Sequence, residues 1–227
     1  HGMLCLRRIL RKRGKRMAGF DYKKEYKAFY LPPKKPGIVD IPTMNFLAVR
    51  GKGDPNEEGG AYKESIGSLY SVAYTIKMSK LGSHKLEGYF DYVVPPLEGF
   101  WWQEGVQGVD YSRKEDFQWI SLIRLPDFVT KEAFEWACGE AARKKGKDFS
   151  NVEYLTYTEG LCVQCMHVGP YDEEPATLEK MMTYVREKGY GSDFSVGRYH
   201  HEIYLSDVRK CRPENLKTVI RHPIKKI

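Results

Sequence analysis

LCVQCMHVGPYDEEPATLEKMMTYVREKG, residues 161–189, reads as a strand, a tight loop and a helix in immediate succession. Leu161 to Val168 is rich in apolar and branched residues, and Gly169-Pro170 ends it with turn chemistry. Pro175 sits in the first turn of a helix that runs to Lys188, and Gly189 follows its end. The same order occurs once before. A strand from Asn45 to Arg50 enters a loop over Gly51 to Glu58, and a helix follows from about Ala61 to Met78. Its Ile66, Leu69, Tyr70, Ala73, Tyr74 and Lys77 fall at helical spacing. Two more strands are expected after each helix. In the first copy they lie around Tyr89 to Val94 and from Phe117 to Leu125, with Pro95 to Gly99 linking the former into Phe100, Trp101 and Trp102. In the second they are Tyr199 to Leu205 and Leu216 to Ile224.

The copies are offset by roughly 100 to 120 residues, which marks an internal repeat. The sequence therefore predicts an α+β fold, a tandem pseudo-twofold repeat of strand-helix-strand-strand modules. They share a mixed, mostly antiparallel sheet, with an aromatic cleft between them. Module one covers about residues 38–128 and module two about 152–225. A bridging amphipathic helix joins them over about 130–146, with Thr130 as N-cap and Arg143, Lys144 and Lys145 at its C-terminal end. Residues 18–40 read as an extended lead-in, and 18–227 as one domain.

The formal charge of +7 suggests nucleic-acid binding until it is located. Residues 1–17 hold seven basic residues and no acid, and the remaining 30 basic residues are matched by 30 acidic ones. The body is neutral, and the basic stretch reads as a disordered extension or tail ahead of a physiological start at Met17. No specific nucleic-acid partner is expected. No apolar run is long enough to span a membrane and no signal peptide is visible, so the expected setting is the cytoplasm. The odd number of cysteines, five, excludes a complete disulfide framework. Cys162 and Cys165 form a CxxC, but on a strand their side chains diverge, which argues against redox or zinc chemistry. Aromatic residues make up 13% of the chain, enough to line a ligand cavity as well as a core.

The strand Tyr199-His-His-Glu-Ile-Tyr-Leu205 carries the clearest functional signal. Alternation places His200, Glu202 and Tyr204 on one face and His201, Ile203 and Leu205 on the other. A carboxylate between an imidazole and a phenol is either a solvated surface group or the centre of a site.

Five segments, Ile38 to Phe46, Gly51 to Asn56, Asp91 to Trp102, Gly169 to Asp172 and His200 to Asp207, occur in an order and spacing that resemble the GyrI-like small-molecule-binding domain. The likeness spans residues 30–224 and is greatest to stand-alone bacterial members, several of which are cyclopropanoid cyclopropyl hydrolases. The resemblance implies a GyrI-like, SHS2-type fold with a pocket between the modules and a pocket glutamate that falls on Glu202. It also implies water opening the strained cyclopropane of DNA-alkylating drugs, with no metal or organic cofactor. Glu202 would hold the water, and Tyr70 or Tyr204 would protonate or stabilise the developing phenolate. Aromatic walls would raise the Glu202 pKa toward neutrality. Tyr70 and Tyr74 share a helix face and are candidates for the pocket wall. Trp102 is preferred to Trp101 as the tryptophan facing the cleft, and Trp119, Met166, Phe128 and His200 complete the candidate lining. The expected partners are planar hydrophobic or cationic small molecules. An alternative is sequestration of lipophilic or cationic drugs without chemistry. A third reading, a protein-interaction factor, calls for an acidic body that this chain lacks.

Overall fold

The computed structural model describes residues 19–227, so the basic extension over residues 1–17 and the Met17 start lie outside the described residues. In chain order the first elements are α1 (Tyr22–Glu25), α2 (Lys27–Tyr30), β1 (Gly37–Lys52), α3 (Ala61–Met78), β2 (Leu97–Trp102) and β3 (Gln118–Arg124). They are followed by α4 (Lys131–Lys145), β4 (Glu153–Val168), α5 (Glu174–Glu187), β5 (Tyr190–Ser192), β6 (His200–Tyr204) and β7 (Lys217–Lys226). No described helix is long and apolar enough to cross a membrane.

The strands run β4-β1-β3-β2-β6-β7 around the sheet, and β4 also pairs with β7, which closes them into a barrel. Short β5 extends the ladder at the end of β7. Pairing between named strands is antiparallel throughout, where a mixed sheet was expected. The helical crossover from β1 does not create a parallel pair, because β3 lies between β1 and β2.

The barrel encloses Ile41, Met44, Phe46, Phe100, Ile120 and Leu122. On its outside α3 packs Leu69, Val72 and Ile76 against Leu47, Val49 and Trp119, with Phe134 and Ala137 of α4 behind them. Met181 and Val185 of α5 cover Val163, Cys165, Ile220 and Ile224. Two helix ends follow the expected chemistry. The Thr130 hydroxyl accepts from the Ala133 amide at 3.2 Å, and Gly146 takes the left-handed conformation after α4.

Three expectations change. Tyr89 to Val94 is not a ladder strand; its backbone makes one isolated bridge, from Tyr92 to Phe20, and the ladder begins at Leu97 after Pro95-Pro96. The lead-in is not extended, because α1 and α2 fold Tyr22 and Tyr30 over Tyr92, Ile203 and Val219. β4 starts eight residues before Leu161, since β1 pairs along its polar half from Glu153 onward. The two halves of β4 meet at Gly160, whose φ is 70°. There Pro42 faces Glu159 between the Ile41–Gly160 and Thr43–Thr158 pairs. The irregularity reverses the alternation, so Tyr157 and Glu159 point into the barrel on one side of it and Gln164 on the other.

That reversal completes a buried polar network. His201 bonds Glu159 at 2.9 Å and Glu98 at 3.0 Å, and Arg221 bonds Glu159 and Gln164 at 3.0 Å each. Tyr30 donates to Glu98, while Gln164 and Arg221 donate to the carbonyls of Ala28 and Phe29 and tie α2 to the barrel. Burial alone would raise the Glu159 carboxyl, but the charges of His201 and Arg221 hold it down to about 2. Burial is the largest influence on His201 and works against its cation, yet the charges and hydrogen bonds of Glu159 and Glu98 together outweigh it and raise the histidine above 6.5. The His201 contribution to stability is full below 6.5 and is lost as pH rises through its folded value; that of Glu159 is full above 4.5 and is lost as pH falls toward about 2. The thermal midpoint should therefore be highest between about pH 4.5 and 6.5 and fall on the alkaline side. Calorimetry of His201→Gln should show a lower midpoint whose alkaline fall is flattened.

Candidate functional site

The outer faces of β2 and β6 build the site. Their register sets Trp101 opposite His200, Gly99 opposite Glu202 and Leu97 opposite Tyr204, so all six share one face. Gly99 is required there, because a Cβ would lie 2.6 Å from Trp101 Nε1 and 3.2 Å from Tyr204 Oη. With glycine in place, Trp101 Nε1 donates to Tyr204 Oη at 3.0 Å. From α3, Tyr62 packs its ring 5.0 Å from Trp101 and 5.1 Å from Trp119. The ring of Tyr171, from the Gly169-Pro170 loop, meets Tyr204 edge-on at 5.9 Å.

Glu174 is the first residue of α5 and is fully buried. Tyr111, from the β2–β3 connection, donates to its Oε2 at 2.6 Å. Its Oε1 meets no donor among the described residues, yet the carboxyl faces Glu202. Burial, and then the negative charge of Glu202, push Glu174 well above the ordinary carboxylate range. A protonated Glu174 accounts for both facts, since its acid O–H can donate to Glu202 where two ionised carboxylates would only repel. On the other side of Glu202, His200 Nε2 approaches Oε1 at 2.9 Å, and His200 Nδ1 approaches His222 Nε2 at 2.7 Å. Burial holds His222 well below the ordinary imidazole value, so it is neutral. Burial also raises the phenols of Tyr62, Tyr111, Tyr171 and Tyr204, so each is a neutral donor. Glu202 acts on all four of these phenols, which gather round the carboxyl pair.

Glu174, His200 and Glu202 present ligand atoms within 4.8 Å of one another, the spread that a divalent ion would take. Within this group both His200 nitrogens are engaged, one with Glu202 and the other with His222.

Of the residues singled out from sequence, the structure brings together Glu202, Tyr204 and His200, and His200 is buried rather than at the surface. Trp119 lies beneath Tyr62 as part of the packed layer. Tyr70 and Tyr74 sit farther along α3 with rings 6.2 Å apart; the charges of Asp207 and Arg209 act on the half-buried Tyr70, and Tyr74 is exposed. Trp102 points to the opposite side, packs with the barrel interior and stacks on Tyr199 at 4.4 Å; the register puts Trp101 on the face of Glu202 instead. Met166 and Phe128 belong to the tyrosine cluster around Tyr22 and Tyr92. Sequence reading missed Glu174, Tyr62, Tyr111, Tyr171 and His222. The available signals were Tyr171 within Gly169-Pro-Tyr-Asp172 and the parity of His222 on β7.

The pattern of the GyrI-like small-molecule-binding domain matches residues 34–225. The chain belongs to the GyrI-like family. An uncharacterized conserved protein from Listeria innocua shares 50% identity with this GyrI-like chain over 91% of it and all of the Listeria chain, with a TM-score of 0.86. Two structures of hydrolases from Listeria innocua are 47% and 48% identical, with TM-scores of 0.82 and 0.84. They cover 91% and 92% of this chain, and all of their own. No curated protein matches it at a significant level.

Gly99→Ala tests how tightly this GyrI-like site is built. The added methyl should separate Trp101 from Tyr204, shift the tryptophan fluorescence and cost about 1–3 kcal/mol in urea unfolding.

Proposed function

We propose that the protein is a hydrolase that adds water to the strained cyclopropane of planar, DNA-alkylating cyclopropanoid compounds and so protects the cell. One observation carries the reading: two buried carboxyls, Glu174 and Glu202, face each other inside a wall of neutral phenols, and Glu174 is pushed well above the ordinary carboxylate range. A pair of titratable groups pushed apart by environment is the arrangement that acid–base chemistry needs. The similarity to Listeria innocua hydrolases supports it. The two-module reading of the fold has support of its own kind, since exchanging β1 with β4, β3 with β7 and β2 with β6 maps the ring of pairings onto itself.

In this mechanism Glu202 takes a proton from water as the water oxygen bonds to the cyclopropane methylene. The ring C–C bond breaks, and its electron pair passes into the conjugated dienone, which becomes aromatic. Glu174, or a hydroxyl from Tyr204 or Tyr111, delivers a proton to the developing phenolate oxygen. The proton gained by Glu202 then returns to whichever group gave one: to Glu174 directly, to Tyr111 through Glu174, or to Tyr204 beside Glu202. Trp101 and the tyrosines stack on the flat ligand and exclude bulk water. Tyr70 and Tyr74 form the outer rim on α3.

Mass spectrometry of a cyclopropyl-dienone compound incubated with the protein tests this. Wild type should yield the water adduct, and Glu202→Gln should lose at least about 100-fold in rate while still binding the compound. An intact compound bound by both proteins would make the domain a sequestering one.

A further inference from the structure

We propose that His222 is a positioning residue, one that fixes the tautomer of His200 and thereby the orientation of Glu202. The inference rests on the hydrolase reading for its consequence, but not for its geometry. His200 and His222 lie side by side on neighbouring β6 and β7, 1% and 4% exposed, and no water-facing route is needed to explain their contact. Their rings meet at a steep angle, 67°, with His222 Nε2 2.7 Å from His200 Nδ1. The other side of His222 is an aromatic edge, the Phe194 ring at 4.9 Å, and its Nδ1 meets no hydrogen-bond partner among the described residues.

The direction of the chain follows from this asymmetry. A neutral imidazole carries one N–H, and a buried N–H without an acceptor is costlier and rarer than an unpaired acceptor. The His222 proton therefore sits on Nε2, the nitrogen with a partner, and the bare lone pair is Nδ1. His222 then donates to His200 Nδ1, which leaves the His200 proton on Nε2, where it donates to Glu202 Oε1 at 2.9 Å. All donation runs toward the carboxylate. The imidazole holds one oxygen through its Nε2–H and leaves the rest of the carboxylate for Glu174, Tyr204 and the attacking water. Without the donor at 222, His200 is free to take its proton on Nδ1 and turn a lone pair toward Glu202, which pushes the carboxylate away. Orienting groups of this kind act on turnover more than on binding, because they touch no part of the ligand.

The experiment compares His222→Phe, His222→Gln and wild type by nitrogen-15 NMR of the histidine rings and by kinetics on a cyclopropyl-dienone. Wild type should show His200 as the Nε2–H tautomer, and His222→Phe should lose that signature. In the same variant kcat should fall on the order of 10-fold with KM nearly unchanged. The side-chain amide of His222→Gln restores an N–H donor and should recover most of both. If His222→Phe does not fold, His222→Gln and His222→Asn are compared on the same readouts, with the tautomer following the presence of a donor. An unchanged His200 tautomer, or a loss that falls on KM alone, overturns the proposal. Because the NMR signature needs no turnover, a protein that shows the tautomer change but no hydrolysis would fail the hydrolase reading and not this one.

Discussion

Strand β6 buries three ionisable side chains within five residues, and both faces of the molecule are arranged around that constraint. His200, His201 and Glu202 are all nearly inaccessible, so each must find partners inside the protein. His201 points into the barrel, where Glu98, Glu159 and Arg221 meet it. His200 and Glu202 point outward, where His222, Glu174 and the tyrosines do so. A strand buried on both sides by polar contacts has a register that cannot slip, since one residue of shift would exchange the two networks. The site inherits its precision from that.

The two networks use charge differently. Inside the barrel, opposite charges are paired, which favours ionised Glu159 and protonated His201 and makes the network a fastener for α2. Outside, two carboxyls are brought together, and burial, followed by the charge of Glu202, pushes Glu174 well above the ordinary range and so toward its protonated form. A buried pair with one proton between two carboxyls is poised to accept and to donate, whereas a satisfied ion pair is not. This contrast is why the proposed chemistry is set on the outer face and stability on the inner one.

Much of this was readable in the sequence where local pattern decides. The alternation of residues 199–205 gave the right face to Glu202, Tyr204 and His200, and helical spacing found α3 to its ends. Family-specific segments reached nearly the whole folded body. The failures have physical causes. Choosing Trp102 over Trp101 required the register of β2 against β6, which no local pattern encodes. Glu174 was hidden because an acid in the first turn of a helix already has an explanation in the helix dipole. The polar half of β4 lacks apolar alternation, and Gly160 then inverts what alternation there is. Tyr111 comes from an irregular connection, so only the folded chain brings it to Glu174.

The central claim is that Glu174 holds the proton that Glu202 lacks. Infrared spectroscopy at neutral pH reads this directly, since a protonated carboxyl has a stretching band distinct from those of carboxylates. The account predicts such a band in wild type, shifted by deuteration and absent from Glu174→Gln. A wild-type spectrum without it, or a band that survives in Glu174→Gln, would contradict the account.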